Sequence, residues 1–229
     1  MKKRICLLLV LFAITHVFAD EYVISKIKYY DGDYYTRELS LKYSDKNDEY
    51  YLFRSTYSRS YWYTLTSDSL DKLRNNLAKT KEWEQLAKAN KSTITKELPD
   101  STIKVEGTMK SGSDWYFTSS DIPLSFHFMS NIADDHESVA LYVLGGEKGT
   151  TKNKYITIEF ESMLIVDSQI DDFINAISEE TINEAKLKHE KEKNTADLFN
   201  WPYLKKKYSL IWIDIRDKLL SWISIFFIV

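Results

Sequence analysis

Asp134-Asp135-His136-Glu137 holds the densest metal-ligating and acid–base chemistry in the chain. Three carboxylates and an imidazole suit a cation or a proton-transfer pair. Adjacent loop residues seldom converge on one ion, however, and no second ligand cluster accompanies them. The segment therefore reads as a solvated loop, and Asp135, His136 and Glu137 carry the enzymatic alternative, a carboxylate-dependent hydrolase. Glu159 and Glu161 share one strand parity. Glycoside hydrolysis needs two carboxyl groups facing each other at a controlled separation, and the wet side of a strand accounts for the pair more simply. In Gly145-Gly146-Glu147-Lys148-Gly149-Thr150 the lysine precedes the last glycine and no helix follows, so a phosphate loop is excluded and a hairpin turn is expected. His127 has the opposite parity to Phe126 and Phe128, and His189 falls in a charged segment. No catalytic residue, metal site or cofactor is expected.

Aromatic density is the next signal. Eleven of the 16 tyrosines lie between Tyr22 and Tyr63, with Phe53 and Trp62 among them. In Tyr50–Phe53 and Tyr61–Tyr63 aromatics occupy both parities, so one sheet face cannot bury them all. Either the surplus fills a second packing layer, as β-propensity and core filling would have it, or it is exposed for stacking. Tyrosine serves surfaces well because it joins apolar area to a hydroxyl. Tyr50, Tyr51, Tyr61 and Trp62 are the candidate ligand- or partner-binding residues, toward an envelope protein, a peptide or a glycan.

Location follows from the N-terminus. Lys2-Lys3-Arg4, an apolar run from Ile5 to Ile14 and the Val17-Phe18-Ala19 exit have the three parts of a secretory signal peptide over residues 1–19; the other reading is a buried N-terminal helix. Its removal takes the formal net charge from −3 to −6, because three cations and no acids leave with it. An acidic exported chain is a poor ligand for nucleic acid. Cys6, the single cysteine, leaves too, which excludes disulfides and thiolate chemistry from the mature chain. The expected protein is an exported, non-enzymatic binding protein of a bacterial envelope, periplasmic or extracellular. A peripheral membrane-attached structural protein is a further alternative.

The positioning elements are mostly strands. Alternation in Tyr35, Leu39, Leu41 and Tyr43 marks a half-buried antiparallel strand, and Asp31-Gly32 signals a tight hairpin before it. Leu70, Leu73 and Leu77, then Trp83 and Leu86, recur at helical spacing behind the candidate caps Thr66, Ser67 and Asp68. Strands then return at Ile103–Met109, Trp115–Phe117, Leu124–Phe128, Val139–Val143 and Ile156–Phe160. A second helix, capped by Asp167-Ser168, carries Ile170, Phe173, Ile174 and Ile177. The fold class is α+β, a mostly antiparallel sheet or sheets covered by two helices, with a C-terminal amphipathic helix. Strand, polar cap and helix recur about 100 residues apart, which suggests two pseudo-repeated β-rich units, 20–98 and 99–199, the second closed by a long charged helix. The alternative is one α+β domain without internal symmetry. This order loosely resembles that of some single-strand nucleic-acid-binding domains, in arrangement alone; the acidic charge and export signal argue against that function.

Residues 200–229 form an apolar tail. Asp214, Arg216, Asp217 and Lys218 each cost roughly 2.5–3.5 kcal/mol near a bilayer centre, which disfavours a span. On a helix, Trp212, Ile215, Leu219, Trp222 and Phe226 share a face that could dock on a membrane surface or a partner. Packing on the chain's own domain explains the same pattern.

Overall fold

The computed structural model of the chain describes residues 21–133 and 136–198. It divides into a compact unit up to Ala185 and a second from Lys186, of which the described part is helical. The first unit is built from twelve strands: β1 (Glu21–Tyr30), β2 (Thr36–Ser44), β3 (Glu49–Ser55), β4 (Arg59–Leu65), β5 (Ile94–Glu97), β6 (Ile103–Ser111), β7 (Asp114–Phe117), β8 (Ile122–Ala133), β9 (His136–Leu144), β10 (Glu147–Gly149), β11 (Thr157–Glu159) and β12 (Met163–Val166). Helices α1 (Ser67–Ala89) and α2 (Ser168–Ala176) lie in it, and α3 (Glu179–Leu198) begins in it.

Eight of these strands close a barrel in the order β8, β9, β12, β1, β2, β3, β4, β6 and back to β8, with antiparallel pairing throughout. Closure depends on the length of β8. Its first residues pair with β6 (Ile103↔Leu124, Val105↔Ile122), and His127–Ser130 pair along the same strand with β5. The strands that close the barrel come from both 20–98 and 99–199, so these segments share one wall rather than standing as separate sheets.

Alternation decides what enters the lumen. Ile27, Leu39, Leu41, Leu52, Tyr63, Met109, Phe126, Val143 and Ile165 point inward and are buried. A bulge between Val23 and Ser25 shifts β1 by one residue. It brings Ser25 to the inner parity, where its hydroxyl donates to the Ala176 carbonyl of α2 at 2.7 Å.

α1 starts at Thr66, whose side-chain oxygen accepts from the Ser69 amide, as the sequence suggested. Leu70, Leu73 and Leu77 are buried, and Trp83 meets Phe128 edge-to-face at 5.7 Å. Phe128 has the inner parity of β8, so α1 covers the inner face of the long β8–β9 hairpin. Leu73→Ala is expected to cost about 2–5 kcal/mol. Lys72→Ala, which loses only an exposed pair with Asp68, should change stability by less than about 0.5 kcal/mol. Denaturant melts check the contrast, and equal effects would remove α1 from the core.

Three local expectations change. The Asp31-Gly32 hairpin is not a two-residue turn. Asp31 accepts the amides of Asp33 and Tyr35, and the left-handed residue is Tyr34, at φ 62°. Asp167 stands at the start of α2, and its backbone carbonyl accepts the Ile170 amide, but its side chain makes no cap bond; the carboxylate accepts the Val139 amide instead. Gly145–Gly149 is not the hairpin turn either, because β10 begins within it and pairs with β11.

The segment from Gly145 to Glu161 is an excursion that folds back into the barrel. Ile158 and Phe160 are buried, and the Phe160 ring meets Tyr63 at 4.7 Å. The Tyr63 hydroxyl donates to the Glu159 carbonyl at 2.5 Å. Gly145 permits the fold-back, since a Cβ there would overlap the Phe160 carbonyl and stand 2.8 Å from Cδ1 of its ring.

Two buried carboxylates link stability to pH. Burial alone would raise Asp31, but the amides of Tyr35 and Asp33 and the Arg37 guanidinium outweigh it and hold its carboxyl below the usual range. Burial likewise opposes the Glu84 carboxylate, and the ammonium groups of Lys81 and Lys88, 2.6 and 2.7 Å away, outweigh it. A depressed native pKa gives stability that is present above the unfolded pKa and is lost as pH falls through the native one. Melting temperature should therefore drop between about pH 5 and pH 2, and less steeply in an Asp31→Asn/Glu84→Gln variant. Parallel slopes would show that neither group contributes.

Candidate functional site

The four aromatics predicted as one binding set are split by strand alternation. Tyr50 and Tyr61 face the inside, Tyr50 half-buried against Tyr43 at 4.9 Å and Tyr61 buried parallel to Tyr63. Tyr51 faces outward yet is buried. Its hydroxyl donates to Glu49 at 2.6 Å and accepts from Asn47, and burial first, then Glu49, pushes its pKa up to about 12. Only Trp62 lies on the outer face with its ring available at the surface.

Trp62 belongs to a larger feature. Across the outer face, Ser40, Phe53, Trp62, Thr108 and Phe117 stand in one cross-strand row through β2, β3, β4, β6 and β7. Trp115 joins from the next row. Ring centroids are 5.0 Å apart from Phe53 to Trp62 and 5.2 Å from Trp62 to Trp115, with the planes inclined by 58° and 38°. Phe117 is 52% exposed and Trp115 39%. Lys42 places its ammonium 3.6 Å from the Phe53 centroid, and Lys110 lies 5.4 Å from that of Trp115. Glu21 fixes the Trp62 indole by accepting its N–H at 3.2 Å. At about 4.8 Å per strand, the band from Phe53 to Phe117 spans roughly 14 Å.

The band runs into a cleft. β2 and β3 are paired from Ser44↔Glu49 to Ser40↔Phe53, and there the wall parts. Thr36–Leu39 stay with β1, while Arg54 and Ser55 stay with β4. The resulting opening has a volume of about 560 Å³, and Phe53 and Ser40 belong both to it and to the band. Inside it Arg54 ion-pairs with Glu161, which also accepts from the Tyr29 hydroxyl at 3.0 Å. The Arg54 guanidinium lies 4.9 Å from the Tyr61 ring centroid. Its Nε is buried without a hydrogen-bond partner. Burial, and then the charge of Glu161, raises the pKa of Tyr29 and keeps the phenol protonated.

The remaining sequence candidates do not converge. Asp134 and Asp135 lie outside the described residues, and so does the side chain of His136; Glu137 is exposed, opposite Ile132. Glu159 pairs across β10–β11 with Glu147, away from the Arg54 partner Glu161. His127 is half-buried on the outer parity of β8, 3.4 Å from the Ser125 hydroxyl. No cluster of three His, Cys, Asp or Glu is arranged to hold a metal among the described residues. Trp212, Ile215, Leu219, Trp222 and Phe226 lie outside the described residues, within which no helix is long and apolar enough to cross a membrane.

Sequence reasoning passed over Phe53, Trp115 and Phe117 in the band and Arg54 in the cleft. A parity count was the available signal. Leu41 and Leu52 mark the inner side, which sends Phe53 and Trp62 outward and Arg54 inward. Comparison with protein-family models, curated proteins and solved structures finds no match for the chain.

Proposed function

We propose that the chain is an exported, non-enzymatic binding protein of a bacterial envelope, and that its outer aromatic band takes an envelope glycan. The row Phe53–Trp62–Phe117 with Trp115 carries this reading. Aromatic faces stack on the C–H face of a sugar ring. Ser40, Ser60, Thr64 and Thr108 put hydroxyls on the same outer parity to meet those of the sugar. Lysines at both flanks and hydroxyls between the rings break the apolar surface into narrow stripes. That suits a polyhydroxyl chain better than a broad apolar protein face. Export rests on Lys2-Lys3-Arg4 and the apolar run behind them.

Co-sedimentation with purified peptidoglycan sacculi tests the reading. The mature chain is expected in the pellet, and a Trp62→Ala/Trp115→Ala variant with an unchanged melting temperature should bind at least tenfold more weakly. Undiminished binding by that variant would remove the band from the site. Release of soluble sugar fragments would make the chain an enzyme.

A further inference from the structure

The cleft between β2 and β3 has features that the band alone does not require. Its walls carry the hydroxyls of Thr36, Ser40, Ser55 and Thr56, and its floor carries the Arg54–Glu161 pair. Its cations are already matched, Arg54 by Glu161 and Arg37 by Asp31 at 2.7 Å, so an anion gains no net charge there. Hydrogen-bonding capacity remains. Arg54 is only 15% exposed and its Nε is sealed from the opening, while Glu161, 32% exposed, can accept further bonds. Tyr57 stands fully exposed at the lip, and the opening lies within the size range of small-molecule sites.

We propose that this cleft binds one neutral sugar residue, the end or a branch of the glycan that lies on the band. Its hydroxyls donate to Glu161 and exchange hydrogen bonds with Thr36 and Ser40, and Tyr57 covers one face of the ring. The proposal rests on the band being a glycan surface and extends it, since Phe53 and Ser40 line both.

An NMR titration of the mature chain with N-acetylglucosamine separates the two. A monosaccharide is too short to need the band, so the Trp62→Ala/Trp115→Ala variant should bind it within twofold of wild type. Glu161→Gln keeps the shape of the floor but replaces the charged acceptor with a neutral one, and should weaken binding about tenfold. Tyr57→Ala, which removes a fully exposed side chain and cannot unfold the barrel, should weaken it several-fold. Shifts confined to residues around Arg54 and Tyr57 support the cleft. Saturable binding that neither variant weakens, or no saturable binding, overturns it even where sacculi are still retained by the band. Sulfate competing for the same residues more strongly than the sugar would make the cleft an anion site and also overturn the proposal.

Discussion

Gly145→Val is expected to destabilise the barrel by more than about 3 kcal/mol, beyond the usual range for an overpacked core position. The Cβ would overlap the Phe160 carbonyl, and a backbone group cannot swing aside as the tip of a side chain can. Relief requires the whole return segment, Thr157 to Glu161, to move out of the lumen. That would release Ile158 and Phe160 from the core and break the bond from the Tyr63 hydroxyl to Glu159. Gly146→Ala is the control, since its nearest neighbour, Cδ of Pro123, is 3.5 Å away. Urea unfolding should show a large loss for the first variant and a small one for the second. Two small losses would mean that the excursion does not seat in the barrel.

Phe160→Ala should cost about 3–5 kcal/mol, the range for emptying a large buried aromatic site. The ring is 2% exposed and meets Tyr63 edge-to-face, and Tyr63 is itself anchored in the middle of the β3–β4–β6 wall. Phe160→Leu, which keeps most of the volume, should lose much less. The same pair of variants also reads out function. If the excursion only plugs the lumen, Phe160→Leu leaves sacculus binding unchanged, because the band lies on the opposite side of the sheet.

Much of this architecture was legible in the residue order. Period-two alternation located β2, β6, β8 and β9, and the three- and four-residue spacing of Leu70, Leu73 and Leu77 behind Thr66 located α1. Closure was not legible. It depends on β8 pairing with β6 at one stretch and with β5 at the next, a long-range choice that leaves no local pattern. For the same reason the repeated strand-and-helix order suggested two units where both segments supply staves to one barrel.

The site was half legible. Aromatics on both parities signalled two populations, one inside and one outside, but Tyr50 and Tyr61 were grouped with Trp62 because identity was weighed above parity. Glu161 was grouped with Glu159 on a strand face, whereas the strand ends at Glu159 and the chain turns Glu161 toward Arg54. The break in the β2–β3 ladder that forms the cleft reflects which partner each strand keeps beyond Ser40 and Phe53, and neither sequence states it alone.

The indole N–H signals of the chain's six tryptophans, followed by NMR as soluble peptidoglycan glycan strands are added, report whether the band holds the glycan. Trp62 and Trp115 lie in the band, while Trp83 packs against Phe128 on the inner side of the hairpin. Trp62 and Trp115 should shift together with one saturation curve while Trp83 stays in place. Saturable binding that moves Trp83 or the tail tryptophans and leaves Trp62 and Trp115 unmoved would contradict it, as would strands that move none of the six.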